Sequence, residues 1–182
     1  MKKIIPLLFL ALFLLSSVAT FSQQAKKKFV WISPDSLKTY REHFRKNIPE
    51  PKGYISDFEE ILSFKEEHQL DSIIQHYRQE TESSIYVVTL DTTRVAKVKF
   101  DELTQLIASE YAIDSKKVNG ILMVVSKGHQ KIKIKTSSGL EKTWQNKELS
   151  DLMNKVIVPY FKERQYFEGI RDGVIAFTQN RK

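Results

Sequence analysis

The sequence predicts one α/β domain, a three-layer α/β/α sandwich around a small, mixed and mainly parallel sheet. Two buried-strand patterns are joined by a helical pattern, an alternating strand follows the second, and further helical patterns flank them. The chain has 182 residues, of which 41% are hydrophobic and 28% charged. That composition is typical of a globular domain with a core and excludes a disordered chain.

Three strands are predicted from apolar patterns. Residues 84–90 are rich in β-branched and aromatic side chains, and residues 119–126 form an apolar run of strand length. Residues 131–135 alternate lysine with isoleucine, which places Ile132 and Ile134 inward. The first two strands are expected to be parallel, because a helix connects them, whereas a short turn makes the third antiparallel to the second.

Helices are predicted where apolar residues recur at steps of three and four. Ser63 is suited to cap the first long helix, and Pro159 is expected to kink or restart the penultimate one. The predicted helical ranges are 64–80, 100–112, 146–158 and 166–179, with a shorter one at 37–47.

Residues 1–22 have the layout of a secretory signal peptide. Lys2 and Lys3 precede an apolar run over residues 4–15, and small residues follow that suit cleavage after Ala19 or Ser22. The alternative is an uncleaved anchor, but the run is shorter than the roughly 20 apolar residues of a membrane span. We therefore expect a periplasmic or secreted protein with no transmembrane span after cleavage.

The absence of cysteine restricts the chemistry. It excludes disulfides, thiolate nucleophiles and cysteine metal sites, and it excludes the cysteine-linked lipid anchor of bacterial exported proteins. The four histidines are scattered without a metal-binding spacing, and no nucleophile elbow surrounds a serine. An exported chain is not expected to bind nucleic acid.

Residues 23–52 are predicted to be a basic extension that precedes the domain. The formal net charge is +7, and removal of Lys2 and Lys3 with the signal peptide leaves +5. Between Lys26 and Lys52 there are eight lysine or arginine residues and three acids. Such a stretch either contacts an anionic lipid or cell-wall polymer or is simply solvated.

Several short segments are informative when they are taken together and in order. They are Gly53-Tyr54-Ile55-Ser56-Asp57-Phe58 with Ile61-Leu62-Ser63, the strands around 85–89 and 119–125, Ser138-Gly139-Leu140-Glu141, and the closing segments 157–163 and 166–170. This series resembles the TPM domain, a family found in a photosystem II repair protein of the thylakoid lumen and in bacterial exported proteins. The resemblance covers about residues 53–178, and we assign residues 53–182 to this domain.

The resemblance implies a sandwich fold with chemistry in acidic loops at one end of the sheet. Some family members are described as acid phosphatases and others as calcium binders. Asp57 matches an acidic position of the family, although an aspartate there also serves as a turn or helix cap. Val118 and Asn146 stand where the family has acids. A site for calcium or magnesium would then depend on Asp57, Asn119, Glu141 and Asn146.

Trp144 follows the predicted hairpin in a polar stretch. It is suited either to anchor a partner or to pack the loop. Because two family acids are replaced, we expect a non-catalytic exported module that binds an envelope protein or an anionic surface. The alternative is a calcium- or magnesium-binding protein or a metal-dependent acid phosphatase.

Overall fold

A computed structural model describes residues 33–51, 53–111, 113 and 119–179. The predicted signal peptide with its cleavage site lies outside these residues, as do the first part of the basic extension and Val118. Pro34–Lys182 form one compact unit.

The four-stranded sheet has the order β1-β2-β3-β4. β1 pairs with β2 and β2 with β3 in parallel, and β3 pairs with β4 antiparallel. The sequence predicted the last three strands and their pairing with one another, but β1 has only three residues, too few to reveal an alternating pattern. The strands are Ile55–Asp57 (β1), Ser84–Thr89 (β2), Gly120–Ser126 (β3) and Lys131–Thr136 (β4).

In the part of the chain that the structure describes, six α-helices surround the sheet. Ser63 caps the second helix in a capping box with Glu66, as the sequence suggested for its start. A 3₁₀ turn, Lys97–Lys99, leads into the third helix. The helices are Pro34–Lys46 (α1), Phe64–Thr81 (α2), Phe100–Glu110 (α3), Asn146–Leu152 (α4), Val158–Lys162 (α5) and Tyr166–Gln179 (α6).

The sheet carries an apolar cluster on each face because successive side chains of a strand point to opposite sides. In β3, Ile121 and Met123 belong to the cluster covered by α2, α4 and α6. Leu122 and Val124 belong to the other cluster, which is covered by α1 and α3. The predicted three-layer sandwich is confirmed.

α1 belongs to the compact unit, although its sequence was assigned to the basic extension. Phe44 is 8% exposed, and its ring meets that of Phe58 edge-on with the centroids 5.6 Å apart. The compact unit begins at residue 34 and so includes α1, while the start of the TPM-like domain at residue 53 stays a prediction.

The penultimate helical region is interrupted just before Pro159 and restarts as a new helix there, as predicted. α4 passes into a π-helical turn, Met153–Ile157, in which the N–H of Val158 donates to the carbonyl of Met153. Pro159 follows in the first turn of α5, where its missing N–H is tolerated.

β4 forms one edge of the sheet and carries the lysines of the alternating segment. Ile134 is buried and Lys133 is exposed, while the ammonium of Lys131 lies 5.5 Å from the centre of the Phe100 ring. Among the described residues, no helix has both the length and the apolarity to cross a membrane.

Candidate functional site

The register of the strands separates the predicted site residues between two edges of the sheet. Asp57 pairs with Thr89 at the carboxyl end of β2, whereas Gly120, directly after Asn119, pairs with Ser84 at its amino end. At about 3.3 Å per residue, the two ends of β2 are roughly 17 Å apart. The prediction that Asp57 and Asn119 share one site is therefore wrong.

The other predicted residues lie at the amino edge, where the parallel strands begin. Glu141, Trp144 and Asn146 line a cleft of about 430 Å³ beside β4. The side chain of Asn119 occupies the space that a Cβ on Gly139 would fill. They gather here because β4 runs antiparallel, so the chain that leaves it arrives at the edge opposite Asp57.

Trp144 is a packing residue. Its side chain is only 6% exposed, and its ring meets that of Phe177 edge-on at a centroid distance of 4.8 Å. The packing alternative for Trp144 is favoured over the recognition anchor, because an anchor must present its ring to a partner. Glu141 and Asn146 are exposed polar residues beside it.

Asp57 holds together the carboxyl edge, where the three parallel strands end. One of its carboxylate oxygens accepts a hydrogen bond from the hydroxyl of Thr89, and the other accepts one from the N–H of Leu62 at 2.8 Å. The hydroxyl oxygen of Thr89 in turn accepts the N–H of Glu59 at 2.9 Å. Asp57 thus links the ends of β1 and β2 to the residues that lead into α2.

Glu59 closes the turn between β3 and β4. Its carboxylate accepts the N–H of Lys127 at 2.7 Å and that of Gly128 at 2.8 Å. Burial raises the pKa of Glu59, and the negative charge of Asp91 raises it further, while the two backbone hydrogen bonds oppose this shift.

Asp91 and Arg94 fix the loop that follows β2. Asp91 accepts the N–H and hydroxyl of Thr93, the N–H of Arg94 and the guanidinium of Arg94. Arg94 also donates to the carbonyl of Phe58 at 3.1 Å, and its guanidinium lies 5.3 Å from the centre of the Phe58 ring. We call Asp57, Glu59, Thr89, Asp91 and Arg94 the carboxyl-edge network.

The carboxyl edge is not poor in acids, contrary to the sequence-based expectation. Besides three carboxylates in the network, it includes Glu67, whose pKa is raised first by burial and then by the charge of Asp57. The replaced family acid at Asn146 belongs to the amino edge instead.

These acids do not have the arrangement of a metal site. Hard cations need several carboxylate or carbonyl oxygens directed at one point. Here the carboxylate of Asp91 accepts four hydrogen bonds from the protein. The carboxylates of Asp57 and Glu59 accept two each. Within the described ranges, no three acidic or histidine side chains are grouped so as to hold an ion. Calcium or magnesium therefore does not fit the edge as it is arranged.

An open cleft of about 520 Å³ lies beside the network. It separates the turn after β3 from the start of α6, and its walls combine the aromatic rings of Tyr166 and Phe167 with the cationic side chains of Lys127 and Arg164. The ammonium of Lys127 lies 5.6 Å from the centre of the Tyr166 ring. Two acids, Glu66 and Glu168, also line the cleft. Aromatic side chains and arginine are enriched where proteins contact one another, whereas lysine and glutamate are depleted there.

Glu59, Asp91 and Arg94 were missed by the sequence reasoning. Asp91 comes two residues after β2 and Glu59 two residues after β1. The ends of parallel strands meet at one edge, so proximity to a strand end would have identified both acids. β1 itself was not predicted, which removed that signal for Glu59.

The sequence matches the family model described as "TPM domain" over residues 55–180. No curated protein matches the chain.

Several solved structures have a similar fold. The N-terminal domain of a protein from P. gingivalis, determined by solution NMR, is 22% identical with a TM-score of 0.63, and the match covers 84% of this chain and 92% of that one. The BA42 protein of the psychrophilic bacterium Bizionia argentinensis is 20% identical with a TM-score of 0.57, covering 68% and 83%. The N-terminal domain of the cg2496 protein from Corynebacterium glutamicum is 14% identical with a TM-score of 0.54, covering 74% and 84%.

Proposed function

We propose, since the chain belongs to the TPM domain family, that it is an exported, non-catalytic module that binds or assists another component of the cell envelope. The family resemblance drawn from the sequence is confirmed over residues 55–180. Family membership alone does not select an activity, because one fold serves many functions.

The observation that carries this proposal is the use of the acids at the carboxyl edge. Asp57, Glu59 and Asp91 each accept hydrogen bonds that hold a loop in place. Carboxylates that accept these hydrogen bonds fix the shape of the carboxyl edge, which favours a binding surface over a catalytic site. The cleft beside the network is a candidate surface for an envelope protein, and the net charge of +5 that remains after removal of the signal peptide favours an anionic surface as the other class of partner.

A second candidate is a calcium- or magnesium-binding protein, including a metal-dependent acid phosphatase. It is favoured by two pairs of like charges, Glu59 with Asp91 and Glu67 with Asp57. The pKa of Glu59 is raised first by burial and then by the charge of Asp91, and the pKa of Glu67 is raised first by burial and then by the charge of Asp57. A bound cation would relieve this repulsion, but the carboxylates would first have to exchange their present hydrogen bonds for metal coordination.

Calorimetric titration of the purified protein with calcium and with magnesium separates the two candidates. The binding module is expected to show millimolar or no binding. A micromolar Kd that is lost in Asp57→Ala but retained in Glu141→Ala would contradict the module and support the metal-binding protein. Glu141 is the matched control because it is an exposed acid at the amino edge.

An assay with a simple aryl phosphate, with and without added calcium or magnesium, tests the enzyme directly. We expect no turnover above the background hydrolysis of the substrate. Turnover that Asp57→Ala abolishes while the variant remains folded would overturn the non-catalytic proposal.

Export is tested by cell fractionation and N-terminal sequencing. We expect the protein in the periplasm or the medium, with a new terminus after Ala19 or Ser22. An intact Met1 in the cytoplasmic fraction would contradict export, and an intact Met1 in the membrane fraction would favour the uncleaved anchor.

A further inference from the structure

A basic cavity lies between α1 and α3, on the face of the sheet that α1 and α3 cover. It has a volume of about 260 Å³, well above the roughly 30 Å³ that one water occupies in the liquid. Its lining contains five basic and two acidic side chains, and they come from α1, the loop after β2 and the start of α3. The charged lining residues are Lys38, Arg41, Glu42, Arg45, Arg94, Lys99 and Glu102.

Both acids of the cavity are already paired. Arg45 lies 3.1 Å from Glu42 and 3.2 Å from Glu102, and Lys99 lies 2.6 Å from Glu102. Arg94 is paired with Asp91, outside the lining. Lys38 and Arg41 therefore remain without an acidic partner among the described residues, which leaves two uncompensated positive charges three residues apart on one helix.

Arg41 carries a further sign that the cavity is incomplete. Its Nη2 donates to the carbonyl of Thr92 at 2.6 Å, but its Nε is shielded from solvent and has no acceptor in the described part of the chain. Buried donors are almost always satisfied. Arg41 lines the cavity, and a small shift of its side chain would bring this N–H, now closed to solvent, to an acceptor bound there.

We propose that the basic cavity binds a phosphate group. A phosphate carries up to two negative charges and several acceptor oxygens, which match the two unpaired cations and the unsatisfied Nε–H of Arg41. The phosphate is either free in solution or carried by a lipid, and the cavity recognises the group that both sources share. Phosphate binding here is independent of the envelope module proposed above.

Calorimetric titration of the purified protein with inorganic phosphate at low ionic strength tests this proposal. We expect one saturable site, weakened about tenfold in Lys38→Gln because a charge-assisted contact is lost. Arg41→Lys keeps the charge but removes the Nε donor, and it should also weaken binding. Lys46→Gln removes the same charge from the same helix outside the cavity and should change the Kd less than twofold.

Three results would overturn the proposal: no saturable phosphate binding, equal weakening by Lys46→Gln and Lys38→Gln, or equally tight binding of acetate. Thermal unfolding of each variant shows whether it is folded. Lys38 is exposed and has no side-chain partner in the described residues, so Lys38→Gln keeps the test valid even if Arg41→Lys is unstable.

Vesicles of phosphatidylcholine with phosphatidylglycerol distinguish the two sources of the phosphate. Saturable binding of inorganic phosphate without retention on vesicles supports a soluble ligand. Retention on vesicles that inorganic phosphate and Lys38→Gln both abolish supports a phosphate carried by a lipid.

Discussion

The two edges of the sheet use their polar side chains in different ways. At the carboxyl edge, Asp57 and Glu59 accept backbone N–H groups and hold the loop after β1 and the turn after β3. At the amino edge, Glu141 and Asn146 are exposed, and the order of the region comes from the buried ring of Trp144. The acids of the carboxyl edge therefore hold the backbone in place, whereas the two polar side chains of the amino edge are exposed to solvent.

The largest effect is expected at the amino edge, from Trp144→Ala. Removal of a ring that is only 6% exposed and packs on Phe177 should lower the free energy of unfolding by about 3–5 kcal/mol. Urea unfolding followed by circular dichroism measures this change.

Phe64→Ala is the control for that measurement, because the Phe64 side chain is 82% exposed. It should change the free energy of unfolding by no more than about 0.5 kcal/mol. If Trp144→Ala lowers the free energy of unfolding as little as the control does, the ring does not contribute to the core. The interpretation of Trp144 as a recognition anchor would then be favoured.

An intermediate effect is expected at the carboxyl edge, from Asp57→Ala. The N–H of Leu62 and the hydroxyl of Thr89 lose their acceptor, which should lower the free energy of unfolding by about 2–3 kcal/mol. Glu141→Ala, the same type of change at the other edge, should stay within about 0.5 kcal/mol. Equal values for the two variants in urea unfolding would remove the distinction between the edges.

The smallest effect is a pH dependence that comes from Glu59. Its pKa is raised above the usual 4.5 in the folded state, so the folded state binds the proton more tightly than the unfolded state does. This contribution to stability is complete below the usual pKa and is lost as the pH rises through the raised value. The stability advantage of wild type over Glu59→Gln should thus be larger at pH 4 than at pH 7.

Urea unfolding of both proteins at the two pH values measures that difference. An advantage that grows toward pH 7 would show that the hydrogen bonds from Lys127 and Gly128 outweigh burial. The Glu59 carboxylate would then be stabilised in its ionised form.

The fold could be predicted from the sequence wherever an apolar pattern extended over enough residues to show its period. The β2–β3 crossover and the hairpin followed from apolar runs and alternation, and α6 was predicted at its observed bounds. β1 was not predicted, because three residues are too few to establish the alternating pattern of a strand. α1 was predicted as a helix, but its packing through Phe44 was not, because its thin apolar stripe of Leu37, Tyr40 and Phe44 does not indicate which residue becomes buried or where the helix docks.

The site was less accessible, since it depends on which edge of the sheet each loop reaches. The antiparallel direction of β4 had been predicted, and it already places Glu141 and Asn146 away from Asp57. The hydrogen bonds of Asp57, Glu59 and Asp91 depend on distances between loops that are remote in sequence, so spacing alone does not reveal them.

The lysines of β4 have a consequence for how molecules meet at high concentration. A sheet ends at each side with unpaired backbone groups, which invite strands from neighbouring molecules and lead to fibrous association. Here one outer strand has only three residues, and the other carries Lys131, Lys133 and Lys135. Approach of a second copy along β4 would bring like charges together, so pairing between the β4 strands of two molecules is disfavoured even at high protein concentration.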